Sequence, residues 1–572
     1  MSIPTDIIAD IVLHRGKIVT VDKDFSIKEA IAIKGDRIIR VGENRDTDRF
    51  MGVNTELIDL DGRTVVPGLI DGHAHMDREG LKFIQPSLAG ARSVEDILKI
   101  IEKEVQKRKP GEWIVTMPFG EYPFYFGTET EDYFKEGRFP NRWDLDSVSP
   151  DNPVYIRGIW FYWRKSFPIV SIANSYALRI AGIDSHSSAP YDGLEIIKDE
   201  KTGEPNGIFK EWNQPCTLEF TLMKAVPRFS HEDRVNGLKT SMERYNAVGT
   251  TSVYEGHGIS SDTFRAFKEL WERDEMTVRS YLVHSPAWDS VSGSDIQEAL
   301  RDWAAFAGGK GFGNEMLKVG GVWTSVGNPV TERIRSRERP YTAWAGFGVD
   351  QTLPPERGSL YDLILAAAKA GLRANAITVT SEELDEHLAV LERVDAEVPI
   401  GHRRFVLQHL GFVNDAQQHR IKKLGIIPTV IPLSVWMHGS ERTEGVDEEE
   451  VINFMPFKSF SEKGINYVFC TDNKPINPLQ AFSAAVSRRD MNTGDVIVPE
   501  QKLSREEAIK ALTINGAFLT FEEDIKGSLE AGKLADLIIL SDDILSCTEE
   551  KIDEIKVIKT ILGGRSVYSC DA

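Results

Sequence analysis

The chain has 572 residues, 41% hydrophobic and 27% charged, an ordinary balance for a globular protein too long for one small core. Sixty-eight Lys and Arg against 88 Asp and Glu leave a formal charge of −20, which excludes nucleic acid or an anionic membrane as the main partner, since both need a basic face. Four scattered cysteines, Cys216, Cys470, Cys547 and Cys570, with no CxxC pair, make neither a disulfide framework nor a thiolate zinc site.

No export signal and no apolar run of membrane-spanning length is visible, so a cytoplasmic location is the expectation. Strands open the chain: ADIVLHRGKIVTV and EAIAIKGDRIIRVG alternate apolar and polar residues, punctuated by Gly16, Gly35 and Gly42. The far end has the same texture in ADLIILSDD and IKVIKTILGGRSVY. Neither end buries much apolar surface alone, so residues 1–66 and 525–572 are expected to pair into a small composite β-domain.

Between them, over 67–524, strands alternate with helices, the pattern of a parallel sheet. Strands are read at Val65–Asp71, GTTSVYEG, TVRSYLVHS, MLKVGGVW, LRANAITV, RRFVLQHL, GIIPTVIP and NYVFCTDN, with helices such as SLYDLILAAAKAG and SEELDEHLAVLERV between them. Eight such strands close into a (β/α)8 TIM-type barrel. Residues 76–234 break the rhythm and read as an insertion after strand one. Its aromatics Trp160, Phe161, Tyr162, Trp163 and Phe167, with Trp323 of strand four, either wall an apolar pocket or form the insertion's own core.

Barrel enzymes place their chemistry at the C-terminal ends of the strands. Strand one ends in His73-Ala74-His75, and residues i and i+2 share a face, so both imidazoles can converge on one ion. Strand four carries Lys318, which beside a divalent ion would have to be a neutral amine or a carbamate. It is also readable as a lysine snorkelling at a strand end. Strand six ends in Gln408-His409 and strand eight in Thr471-Asp472-Asn473: a histidine that can bind metal or steady an oxyanion, and an aspartate that can take a proton from water. Singly, such residues usually satisfy hydrogen bonds; their joint placement at successive strand ends points to metal-assisted hydrolysis.

In this order the motifs resemble the amidohydrolase superfamily, in particular its YtcJ-like branch, which includes N-substituted formamide deformylases. The likeness covers nearly the whole chain: VVPGLIDGHAH at the opening, IANSYALRIAGI and GEPNGIFKE in the insertion, LKVGGVW, RRFVLQHL and FCTDNKPINPL at the strands, and ALTINGA with KGSLEAGKLADLIIL near the end. The resemblance implies a divalent metal, zinc or else manganese or iron, as one or two ions. His73, His75 and Asp472 would bind one ion, while a carbamylated Lys318 and His409 would hold a second. Asp472 would act as general base, and Glu211 would line the pocket unless it is a surface carboxylate.

The fifth strand departs from the family pattern, reading Asn375-Ala376-Ile377-Thr378-Val379 where a ligand histidine is usual, and strand four reads Gly321-Val322-Trp323 in place of Asp-Gly. An amide oxygen is a poorer ligand than imidazole, so the second ion site looks impaired. His284, ending strand three, is either a substitute ligand or an ordinary strand-end histidine. The leading expectation is hydrolysis of a C–N bond in a small, fairly apolar amide. A cyclic amide, C=N or C–C substrate on the same fold is one alternative, and a metal-poor small-molecule binder is another. The partner expected is a small-molecule substrate; a homodimer is the common assembly for such enzymes, and nothing in the sequence specifies it.

Overall fold

The computed structural model describes residues 7–121, 131–158, 168–212, 217–286, 296–326, 353 and 358–570. Eight parallel strands follow one another in chain order around one sheet: Leu69–Asp71, Thr250–Ile259, Arg279–His284, Leu317–Trp323, Ala374–Ile377, Val406–Gln408, Ile427–Val430 and Val468–Phe469. A two-residue strand, Phe312–Gly313, runs antiparallel beside the fourth. The first and eighth strands nearly close the ring, with the Gly72 N–H donating to the Phe469 carbonyl at 3.0 Å. This is the (β/α)8 barrel expected, with a strand at each segment read from the sequence.

The helices between strands start and stop on local signals. Ser359 caps Leu360–Ala370 by accepting from the Asp362 N–H, and Gly371 ends that helix at φ 83°. Thr380 caps Ser381–Glu397 in the same way through Glu383. Inside the barrel Tyr254, Tyr281, Val406, Ile427 and Val468 pack with Leu519 into an apolar floor, so the chemistry has to sit above it.

The first barrel strand differs from the sequence reading. The segment Val65–Asp71 is two strands that split at Gly68. Thr64–Pro67 pairs with Lys17–Val19 and Leu537–Leu540, while Leu69–Asp71 opens the barrel. An added Cβ at Gly68 would lie 2.2 Å from Thr251 Oγ1, so the chain crosses between sheets where only glycine fits.

Thr64–Pro67 thereby joins a six-stranded sheet that draws on both chain ends, in the order Arg565–Ser569, Val557–Leu562, Leu537–Leu540, Thr64–Pro67, Lys17–Val19, Ile27–Lys28. A four-stranded sheet of Arg37–Gly42, Ala30–Lys34, Ile11–His14 and Glu56–Asp59 shares its core through Leu13, Ile31, Val65, Leu537 and Ile561. Arg279 of barrel strand three grips Asp536 with Nε at 2.7 Å and Nη2 at 3.0 Å, tying the barrel to this sandwich. Between barrel strands one and two the chain builds a separate five-stranded sheet, from Ile114–Thr116 to Pro205–Glu211. Trp160, Phe161, Tyr162, Trp163 and Phe167 lie outside the described residues. Among the described residues no helix is long and apolar enough to cross a membrane.

Candidate metal centre

Three strand ends bring four side chains together at the barrel mouth. His73 and His75 follow barrel strand one, His409 follows strand six and Asp472 follows strand eight. Their placement is enforced by backbone. The buried Asp71 carboxylate accepts from the His73 N–H at 3.1 Å and the Thr471 N–H at 3.0 Å, bolting strand one to strand eight. Asn473 clamps His75 from both sides, its Oδ1 accepting from the His75 N–H at 3.1 Å and its Nδ2 donating to the His75 carbonyl at 2.9 Å. His409 and Asp472 sit at φ 64° and 49°, a left-handed backbone that costs a non-glycine residue energy and clusters at functional sites.

The distances fit a single cation. His73 Nε2 lies 3.2 Å from His75 Nε2 and 3.2 Å from His409 Nε2. Asp472 Oδ1 is 2.8 Å from His75 Nε2 and 3.7 Å from His73 Nε2, and Asp472 Oδ2 is 3.6 Å from His409 Nε2. Donors about 2.1 Å from a tetrahedral ion would be about 3.4 Å apart, which these separations bracket. Burial, then the neighbouring His409 and His75, hold the His73 imidazole well below its usual range, and burial takes His409 down to about 3. Burial and the nearby Arg78 do the same to His75. The ligand atoms of His73, His409 and Asp472 lie within 4.8 Å of one another, and His75 touches both His73 and Asp472, so neutral imidazoles beside a carboxylate offer donors for a divalent cation. Burial opposes the charge on Asp472, yet Lys474, His409 and His75 together hold its carboxyl well below the ordinary range.

The other candidates fall elsewhere. Lys318 is the second residue of barrel strand four, five residues before Trp323, which at ~3.3 Å per residue puts it roughly 16 Å lower in the barrel. Its ammonium donates to Glu522 at 2.7 Å, so it is a barrel-floor ion-pair residue in this structure and is not brought to the histidines. Asn375 is fully buried one layer down, taking the Tyr254 hydroxyl and donating to the Arg373 carbonyl at 3.2 Å, and it neither ligates nor faces the mouth. His284 turns outward, its ring 4.1 Å from Trp303 and 5.9 Å from Phe264, with burial lowering it to about 4. Glu211 is no surface carboxylate: it is buried in the insertion, accepting from the Thr217 N–H at 2.7 Å and the Leu218 N–H at 3.2 Å. Trp323 does face the centre.

Several residues escaped the sequence reading. Strand two runs through Ile259, past the Gly256 at which it was ended, and so carries His257 to the mouth. The His257 ring lies 5.4 Å from His75, 5.7 Å from His73 and 4.7 Å from Trp323. Its ligand nitrogen and those of His73 and His75 lie within 4.8 Å of one another, so His257 is a further candidate donor at the mouth. The glycines flanking it were the available signal. Lys474, inside a quoted motif, pairs with Asp472 Oδ2. Glu255 and Asp77 group with His75 as a second set of close potential ligands; burial, then Asp77, push the Glu255 carboxyl well above its usual range, and Glu255 also accepts from the Met76 N–H at 2.7 Å.

Eight parallel strands with imidazoles and a carboxylate gathered at their C-terminal ends define a (β/α)8-barrel protein with a candidate metal centre at its mouth. The chain belongs to the amidohydrolase family, whose model matches residues 56–568, and is a hydrolase by that membership. It is 25% identical to Protein LONG AFTER FAR-RED 3 of Arabidopsis thaliana, over 99% of this chain and 92% of that one. It is 24% identical to N-substituted formamide deformylase of Arthrobacter pascens, over 97% of both, in keeping with the resemblance read from the motifs. Among solved structures, an uncharacterized metal-dependent hydrolase from Pyrococcus furiosus shares the fold at TM-score 0.67 and 22% identity, covering 94% of this chain and all of that one.

Proposed function

We propose that the protein hydrolyses a C–N bond in a small, fairly apolar amide of the formamide class, using one divalent metal ion held by His73, His75, His409 and Asp472. The observation that carries this is the chain of contacts, 2.8 Å to 3.7 Å long, that links His73, His75, His409 and Asp472. Zinc suits such a nitrogen and oxygen donor set, with manganese or iron as the other candidates. The ion, when bound, would supply Lewis acidity and lower the pKa of water at the site. The formamide class is supported by the likeness to N-substituted formamide deformylase.

The chain's own groups divide the remaining work. Asp472 stays ionised at neutral pH, so its carboxylate can take a proton from the attacking water and return it to the leaving amine nitrogen. Lys474 keeps that charge in place through Oδ2. His409 and His73 hold their rings neutral and fixed. His257, beside these donors at the mouth, is placed to donate to the carbonyl oxygen as negative charge develops there. Trp323 beside it supplies an apolar wall that keeps bulk water out.

The test is release of amine and formate from a panel of N-substituted formamides, with a cyclic amide and a C=N substrate included. Turnover of a linear amide, falling by about 1,000-fold in Asp472→Asn with the fold intact by circular dichroism, is the expected result. Metal-loaded protein that turns over no amide, or an Asp472→Asn variant with undiminished turnover, would overturn it.

A further inference from the structure

We propose that Gln408 makes the enzyme selective for amides that carry an N–H, so that secondary amides are substrates and their N,N-disubstituted counterparts are rejected. The inference rests on the amide-hydrolysis reading above and names the feature of the substrate that the site recognises.

Gln408 ends barrel strand six, directly before His409, and is fully buried. Val406, two residues earlier, belongs to the interior cluster with Tyr254 and Tyr281, so Gln408 faces the barrel interior one layer higher. Its carboxamide reaches strand two: a Cβ on Gly256 would fall 2.5 Å from Gln408 Nε2. On the other side of His257, Gly258 makes the same kind of room for Trp323, whose Cβ lies 2.9 Å from where a Cβ at 258 would be. The Gly256-His257-Gly258 run thus seats Gln408 and Trp323 on either side of the histidine at the mouth.

Both neighbours have unmet hydrogen-bonding capacity. Among the described residues, neither Oε1 nor Nε2 of Gln408, nor Nε1 of Trp323, has a hydrogen-bond partner, although all three atoms are buried. A buried polar group left without a partner is costly, and that cost is recovered where a ligand completes the bond. The indole N–H only donates, whereas the carboxamide both donates and accepts, so Gln408 Oε1 is the acceptor of the pair. A substrate carbonyl can be met by donors alone. A substrate N–H needs an acceptor, and Gln408 Oε1 provides it. An N,N-disubstituted amide leaves that oxygen unpaired and puts an extra carbon against it.

The experiment compares kcat/KM for an N-alkylformamide and its N-methyl-N-alkyl analogue in wild type, Gln408→Met and Gln408→Glu, with metal content and circular dichroism on each protein. Wild type should prefer the secondary amide by at least ~100-fold. Gln408→Met, close in shape but without hydrogen-bonding atoms, should bring the ratio below about 10 through loss on the secondary amide. Gln408→Glu keeps an acceptor and should keep the preference; should the Met variant fail to fold, the wild-type ratio and the Glu variant decide. Turnover of both amides at similar rates in wild type, or an unchanged ratio in a folded Met variant, overturns the inference alone. Turnover of neither amide by metal-loaded wild type overturns the amide reading and this inference with it.

Discussion

Lys318 separates two accounts of this barrel, and its partner Glu522 puts a number on the difference. Glu522 lies 2.7 Å from both Lys318 and Lys526, with only 4% of its side chain exposed. Burial opposes its charge, but Lys526 and Lys318 outweigh it and draw the carboxyl from 4.5 down to about 2. At about 1.36 kcal/mol per pH unit, that is worth ~3 kcal/mol of folding stability. Because the folded value is the lower one, the contribution is complete above pH 4.5 and is lost as the pH falls toward 2. Glu522→Gln should therefore lower stability by ~3 kcal/mol in urea titrations at pH 7, and its deficit should shrink as wild type is acidified through that window. Lys318→Met should cost less, since Lys526 still neutralises Glu522, and should leave metal content unchanged. A Lys318→Met protein that sheds metal, or a Glu522→Gln protein as stable as wild type at pH 7, would refute the floor-pair reading and return the lysine to the metal site.

Replacing His257 by Ala should lower kcat by about 100-fold or more with little change in metal content, because His73, His409 and Asp472 remain as a close donor group without it; kinetics with metal analysis on the same sample checks this, and metal loss would make it a ligand instead. Asp536→Asn should destabilise the protein by about 3–5 kcal/mol, since Arg279 is left buried without its counter-charge; denaturant melts read this, and a shift within 1 kcal/mol would contradict it. Gly68→Ala should lower the thermal midpoint by forcing Thr251 aside where the chain changes sheets; an unchanged midpoint would mean that the crossing has slack.

The barrel was legible because its strands are short apolar segments set off by capped helices, and hydrophobic pattern reports that alternation directly. The break at Gly68 was not, since seven apolar-rich residues read alike whether they serve one sheet or two. At the centre, His73, His75, His409 and Asp472 were legible from strand-end position, and the structure gathers them at the mouth with His409 within reach of both His73 and Asp472. Lys318 shows the limit of motif reading: its strand matches the pattern, but height along the strand decides whether a side chain meets the metal or the floor. His257 was hidden by ending strand two at Gly256, and Gln408 by the contrast with the histidine beside it. Their significance lies in contacts across the barrel, through glycines that leave no side-chain signal of their own.

The central claim is that four side chains hold one ion. Metal content per chain, measured on wild type and on His73→Ala after supplementation with zinc or manganese, tests it most directly. The account predicts close to one ion in wild type and near none in the variant, with both proteins folded. Two ions per chain, or none in folded and supplemented wild type, would contradict it.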